Sequence, residues 1–203
     1  MSSRRYTKQR RARQEAETRQ RIVDAAVALH GVVGPRHTTI SAIAQRAGVQ
    51  RLTVYRHFPD QDALFRACTS HWLEDNPPPD PDGWATVADP AERTRAALGA
   101  LYRYYRGTAT MWRLTYRDLA EVTALQGPVT EFERYLERIR DDLERAWRGG
   151  ESSCRDVALV LGHATRFETW QSLAHEGADD AAAADLAVAW VAALAHSSPV
   201  GRC

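Results

Sequence analysis

The thirty residues from Thr38 to Ala67, TTISAIAQRAGVQRLTVYRHFPDQDALFRA, decide the fold. Thr38 and Thr39 are placed to cap a helix whose apolar side is Ile40, Ile43, Ala44 and Ala47. Gly48 ends that helix because glycine tolerates a positive φ, and a short helix from about Gln50 to Phe58 follows. Pro59-Asp60 opens the next, with Leu64, Phe65 and Cys68 on its inner side. Two helices that cross at a tight turn need a small residue where their backbones approach, and Ala44 supplies it four positions before Gly48. Ile43, Val49 and Val54 are then positioned to bury the pair, which is the spacing of a helix-turn-helix.

Upstream, Ile22, Val23, Ala26, Leu29 and Val33 share one helical face, and Gly34-Pro35 stops that helix. Before it, residues 4–21 hold eight Arg or Lys and two Glu, read as a tail that runs into the first helix. Downstream, four prolines between Asn76 and Asp82 exclude helix and central strand, so a loop is expected to about Asp89. Helical spacing then continues to the end of the chain. Two helices are expected on either side of Gly107. The most regular amphipathic one runs through Val129, Phe132, Leu136, Ile139, Leu143 and Trp147, and Gly149-Gly150 ends it. Helices near 153–176 and 179–197 complete the chain, separated by Gly177. Period-two alternation is not sustained in any segment, so the expected class is all-α.

Composition agrees with a folded protein: 203 residues, 44% hydrophobic and 26% charged. The net charge of +1 conceals an asymmetry, for residues 1–66 carry +8 and the remainder −7. A basic third on an acidic body points to a polyanion partner at one end only. The longest apolar run, Leu186 to Ala195, is about half of what a bilayer requires, so no membrane partner and a cytoplasmic location are expected. The three cysteines, Cys68, Cys154 and Cys203, are widely spaced and read as reduced thiols.

Residues 38–67 resemble the DNA-binding domain of the tetracycline-repressor (TetR) family. The resemblance rests on Thr39, Ile43-Ala44, Ala47-Gly48-Val49, Thr53-Val54-Tyr55, His57-Phe58 and Ala63-Leu64-Phe65, with IVDAAVALHGVVG at 22–34 fitting the family's first helix. It implies an N-terminal three-helix helix-turn-helix domain followed by a larger helical ligand-binding and dimerisation bundle. The expected division is a basic disordered arm at 1–15, a DNA-binding domain at 16–60 with its helix-turn-helix at about 39–58, and the ligand-binding and dimerisation domain at 61–203. The implied activity is that of a regulator that binds a palindromic operator as a dimer, most often as a repressor, and is released by a small molecule. Gln50 and Arg51 are the expected base readers, since Gln pairs with adenine and Arg with guanine. Leu52 and Thr53 would touch thymine methyls or a phosphate. Thr39, Tyr55, Arg56 and His57 would hold the sugar-phosphate backbone, with packing inside the domain as the alternative for Tyr55 and His57. Val54 and Phe58 read as core. The arm either tracks the adjacent backbone or groove or is a tail of nonspecific affinity. Several positions depart from the family pattern: His30 and Pro35 stand where aromatics are usual, Gln50 replaces a capping serine, Leu52 a small residue, and Gln61 a lysine. Together they argue for an unusual operator.

In the second half, Met111, Trp112, Tyr116, Phe167 and Trp170 are the candidate lining for an apolar or aromatic effector, which Arg113, Arg166 or Glu168 would orient; each aromatic taken alone reads more readily as core. The last two expected helices are apolar around much of their circumference, which suits a homodimer interface formed by both. No enzyme is expected: His163, Glu168, His175, Glu176 and His196 match no metal or triad spacing, and there is no Gly-rich phosphate loop. No cofactor or metal is expected. A metal-responsive regulator and a helical adaptor lacking sequence-specific DNA binding remain the alternatives.

Overall fold

The computed structural model describes residues 2–148 and 155–197, and among them there are helices and no strands. In chain order these are α1 (Ser2–Val33), α2 (Ile40–Ala47), α3 (Arg51–His57), α4 (Gln61–Asp75), α5 (Asp82–Ala85), α6 (Pro90–Asp118), a 3₁₀ turn (Thr123–Leu125), α7 (Gln126–Arg148), α8 (Arg155–Ala164), α9 (Phe167–His175) and α10 (Asp180–Ser197). The all-α class is therefore as expected. Gly149, Gly150, Cys154 and Cys203, each given a reading above, lie outside the described residues, as does the side chain of His196.

Four local expectations need correction. Residues 2–15, expected as part of a disordered arm, are the first half of α1, which is continuous from Ser2 to Val33. Its first half contains neither glycine nor proline and is rich in Arg, Gln, Glu and Ala, all good helix formers. Gly107 does not separate two helices, since α6 passes straight through it; one interior glycine costs only about 1 kcal/mol relative to alanine. That helix ends at Asp118, and α7 begins at Gln126, earlier than the apolar pattern indicates. The helix expected at 153–176 is broken between α8 and α9. The carbonyls freed at the break, those of Ala164 and Thr165, accept hydrogen bonds from the Tyr102 and Tyr105 hydroxyls at 2.8 and 2.7 Å.

The chain folds as two compact units, and their boundaries differ from the expected division at residue 60. The first combines the chain up to Pro77 with Thr110–Pro128; the second combines Pro78–Ala109 with the chain from Val129 onward. The first core gathers Ile22, Val23 and Ala26 of α1, Ile43 and Ala44 of α2, Val54 of α3, Phe58, and Leu64 and Cys68 of α4. Because Leu64 and Cys68 are buried in that core, α4 belongs to the first unit. Burial pushes the Cys68 thiol up to about 12, so it remains a neutral packing group.

A polar knot fastens the end of α6 within this unit. Asp118, 1% exposed on its side chain, accepts from the Arg117 guanidinium at 2.7 Å and from the Arg36 backbone N–H at 3.1 Å. Arg117 also donates to the Val33 carbonyl at the end of α1, at 2.9 Å. Gly34 lies at φ 89°, and a side chain there would run into both Arg117 and Asp118. The Arg117 guanidinium holds the Asp118 carboxyl below the usual carboxylate range.

In the second unit α6 buries Ala97, Leu98, Leu101, Tyr102 and Tyr105, and α7 buries Val129, Phe132, Leu136, Ile139 and Leu143 as its periodicity requires. Phe167 and Trp170 complete the aromatic part of this core against Tyr105, at 5.5 and 6.0 Å between ring centroids.

Candidate nucleic-acid interface

The interface is built by two caps and a left-handed turn. Thr39 is the N-cap of α2, its hydroxyl oxygen accepting from the Ala42 N–H at 3.1 Å. At the other end Gly48 has φ 64°, and the Gly48 and Val49 N–H groups donate to the Gln45 and Ala44 carbonyls at 3.2 and 3.0 Å. This paired closure satisfies carbonyls that α2 leaves open and reverses the chain into α3. Gln50 occupies the N-cap of α3 without a side-chain capping bond, so its amide is free to act outward.

Val54 is fully buried and Phe58 is 3% exposed, which anchors α3 on its inner side. The Arg19 guanidinium covers the Phe58 ring at 4.8 Å from its centroid. The outer side carries Gln50, Arg51, Leu52, Tyr55 and Arg56, all exposed, with Leu52 at 76% and Tyr55 at 46%. A leucine that exposed at the start of a helix gains nothing from the fold itself. Thr53 and His57 are half-buried. Thr39, also exposed, stands at the start of α2. All eight residues singled out in the sequence therefore belong to one unit, and six of them are exposed while Val54 and Phe58 form the support beneath.

The sequence reading gave the basic arm a contact with the DNA backbone or groove as one of two alternatives, but did not pair it, as part of α1, with the end of α3. A groove of about 340 Å³ is lined by Arg11, Gln14, Glu15 and Thr18 of α1 and by Arg56 and His57 of α3. The His57 Nε2 atom is buried and has no hydrogen-bond partner. The helix-forming composition before Ile22 was the available signal.

The candidate effector residues divide between the units. Met111, Trp112 and Tyr116 are in the first, where the Trp112 and Tyr116 rings stack at 5.7 Å and Trp72 meets Trp112 edge-on at 6.1 Å. Phe167 and Trp170 are core residues of the second, and the Trp170 indole N–H donates to Asp180 at 3.0 Å. The Arg106 guanidinium grips Asp180 with two bonds, at 2.8 and 2.9 Å, and holds its carboxyl below the usual range. A separate half-open groove of about 820 Å³ in the second unit is lined by Trp84, Arg95, Gly99, Arg103, Arg106 and Asp180, among others. Among the described residues no three His, Cys, Asp or Glu side chains group as metal ligands, and no helix is long and apolar enough to cross a membrane.

Residues 22–68 match the family model described as bacterial regulatory proteins, tetR family. The HTH-type transcriptional regulator AcrR of Shigella flexneri is 46% identical over 57 residues, which is 28% of this chain and 26% of that protein. The chain thus matches about a quarter of this relative's length. A TetR-like transcriptional regulator from Rhodococcus sp. RHA1 superposes with a TM-score of 0.61 at 22% identity, covering 89% of this chain and 97% of that one. PfmR, a TetR family transcriptional regulator from Thermus thermophilus, gives 0.59 at 20% identity, with 86% and 97% covered. At such identities these two structures speak for the fold. The matched segment coincides with the capped helix pair and its core, so the likeness to the tetR family of bacterial regulatory proteins lies in residues 22–68.

Proposed function

We propose that this chain is a sequence-specific transcription regulator that binds a palindromic operator as a homodimer and leaves it when a small apolar or aromatic effector binds. The observation that carries the reading is the outer face of α3, with Gln50, Arg51 and Leu52 exposed at its start above a buried Val54. An α-helix fits the major groove of B-DNA and reads it with its N-terminal residues. Gln50 and Arg51 are the base readers, Leu52 and Thr53 adjoin them, and Thr39, Tyr55, Arg56 and His57 position the backbone. Repression is the mode that the family resemblance implies.

The second copy would dock on α8 and α10, which pack on each other and leave Leu159, Leu186 and Trp190 exposed. For the effector, the 820 Å³ groove of the second unit lies in the size range of small-molecule sites. Met111, Trp112 and Tyr116 in one unit, and Phe167 and Trp170 in the other, are further positions at which a substitution would alter the response.

Selection of bound duplexes from a random pool tests the reading. A palindromic site should be enriched, and Arg51→Ala should weaken binding to it by about 1–3 kcal/mol while relaxing the preference at one base pair. A pool with no enrichment, or one indifferent to Arg51→Ala and Thr53→Ala, would leave only nonspecific attraction to phosphate.

A further inference from the structure

We propose that the groove between α1 and the last turn of α3 is a binding site for one phosphodiester of the DNA backbone, with Arg11 as a ligand contributed by the N-terminal helix. The proposal rests on α3 facing DNA and adds to that reading a contact from outside the helix-turn-helix.

The groove holds two guanidinium groups, those of Arg11 and Arg56, and one histidine ring. Neither arginine is paired with a carboxylate among the described residues. By contrast Arg13, two residues from Arg11, is held by Glu17 at 2.8 Å. The buried His57 Nε2 lacks a partner. A buried polar nitrogen left unpaired is costly, and a ligand oxygen would satisfy it. With a hydrogen on Nε2, His57 donates one directed bond, while the two arginines supply the charge that a phosphodiester requires. The Thr18 hydroxyl already donates to the Gln14 carbonyl at 2.8 Å, so that side of the groove gives shape. Glu15 is the one unfavourable neighbour; it is exposed and free to turn to solvent.

The spacing along α3 favours DNA as the source of the phosphate. From Arg51 to His57 a helix rises about 9 Å, comparable with the major groove's width of about 12 Å. With Gln50 and Arg51 at base edges, the last turn of α3 arrives at the flanking backbone. There α1 closes the site from the other side.

The test measures binding by fluorescence anisotropy across a range of salt concentration, using the full chain on the selected duplex and on a scrambled one. Arg11→Ala should reduce the slope of log K against log [salt] by about 0.9 on both duplexes, the value for one lost phosphate contact. Arg13→Ala removes the same charge from outside the groove and should change it less. On the selected duplex, replacing single phosphates by methylphosphonates should reveal one position that weakens wild type and leaves Arg11→Ala unaffected. An unchanged slope for Arg11→Ala, or equal changes for the two variants, overturns the proposal. A failed selection would count against operator recognition, whereas the slopes on the scrambled duplex would still decide the groove.

Discussion

His30 shows how one substitution at a structural position becomes a solution property. It is only 9% exposed and its ring lies 5.3 Å from that of Phe65, so it fills the space of the aromatic that the family pattern leads one to expect. Burial holds its pKa down at about 4, against an ordinary value of 6.5. Below pH 6.5 the unfolded chain takes up a proton that the folded state refuses until about pH 4. Stability from this group is therefore complete above 6.5 and is lost as pH falls through that window, by about 3 kcal/mol in all. His30→Phe should flatten the dependence: the difference in denaturant midpoint between pH 7 and pH 4.5 should shrink in the variant. Parallel pH profiles would exclude His30 as the source. At this scale the sequence was informative wherever a residue acts through its own backbone. Thr39 as a cap, Gly48 as the left-handed turn and Gln50 as a poor cap all follow from local chemistry. The groove beside His57 was not legible, because it is completed by Arg11, Gln14, Glu15 and Thr18, more than thirty residues earlier.

Among the elements, α6 tests the reading of glycine most directly. An added methyl at Gly107 would meet no atom within 4 Å, and the residue sits in unbroken helix. Gly107→Ala should thus stabilise the protein by about 0.5–1 kcal/mol by removing freedom from the unfolded chain, measurable as a higher denaturation midpoint. A destabilised variant would mean that Gly107 serves a close approach absent from this structure. The same glycine made the sequence suggest two helices, since glycine marks a helix end only when the chain also turns left-handed there. At Gly34 and Gly48 it does so. The opposite failure occurred between α8 and α9, where apolar spacing continues through the break. The carbonyls left open at the break are satisfied by a pair of tyrosine hydroxyls more than fifty residues away, and periodicity carries no trace of such partners.

For the whole molecule, the decisive feature outside the DNA-binding face is apolar surface left on α8 and α10. Leu159 is 60% exposed, Leu186 41% and Trp190 38%, the last two one helical turn apart. Trp190→Asp should convert a dimer into a monomer in sedimentation experiments and sharply reduce affinity for a palindromic site, because two half-sites would no longer be held by one particle. A monomeric wild type would remove the proposed interface. Apolar content on these helices was visible in the sequence; the interleaving of the two units was not. Residues 110–128 join the first unit through the Asp118 knot, and Asp118 carries no label, in a linear reading, that connects it to Arg36. That knot has a consequence for the order of events at the ribosome. The DNA-binding unit is discontinuous in the chain, so its helix-turn-helix emerges long before the arginine and aspartate that fasten it. A nascent chain that has released α4 still lacks this anchor, and completion of the unit waits for about forty more residues, roughly two to eight seconds of synthesis.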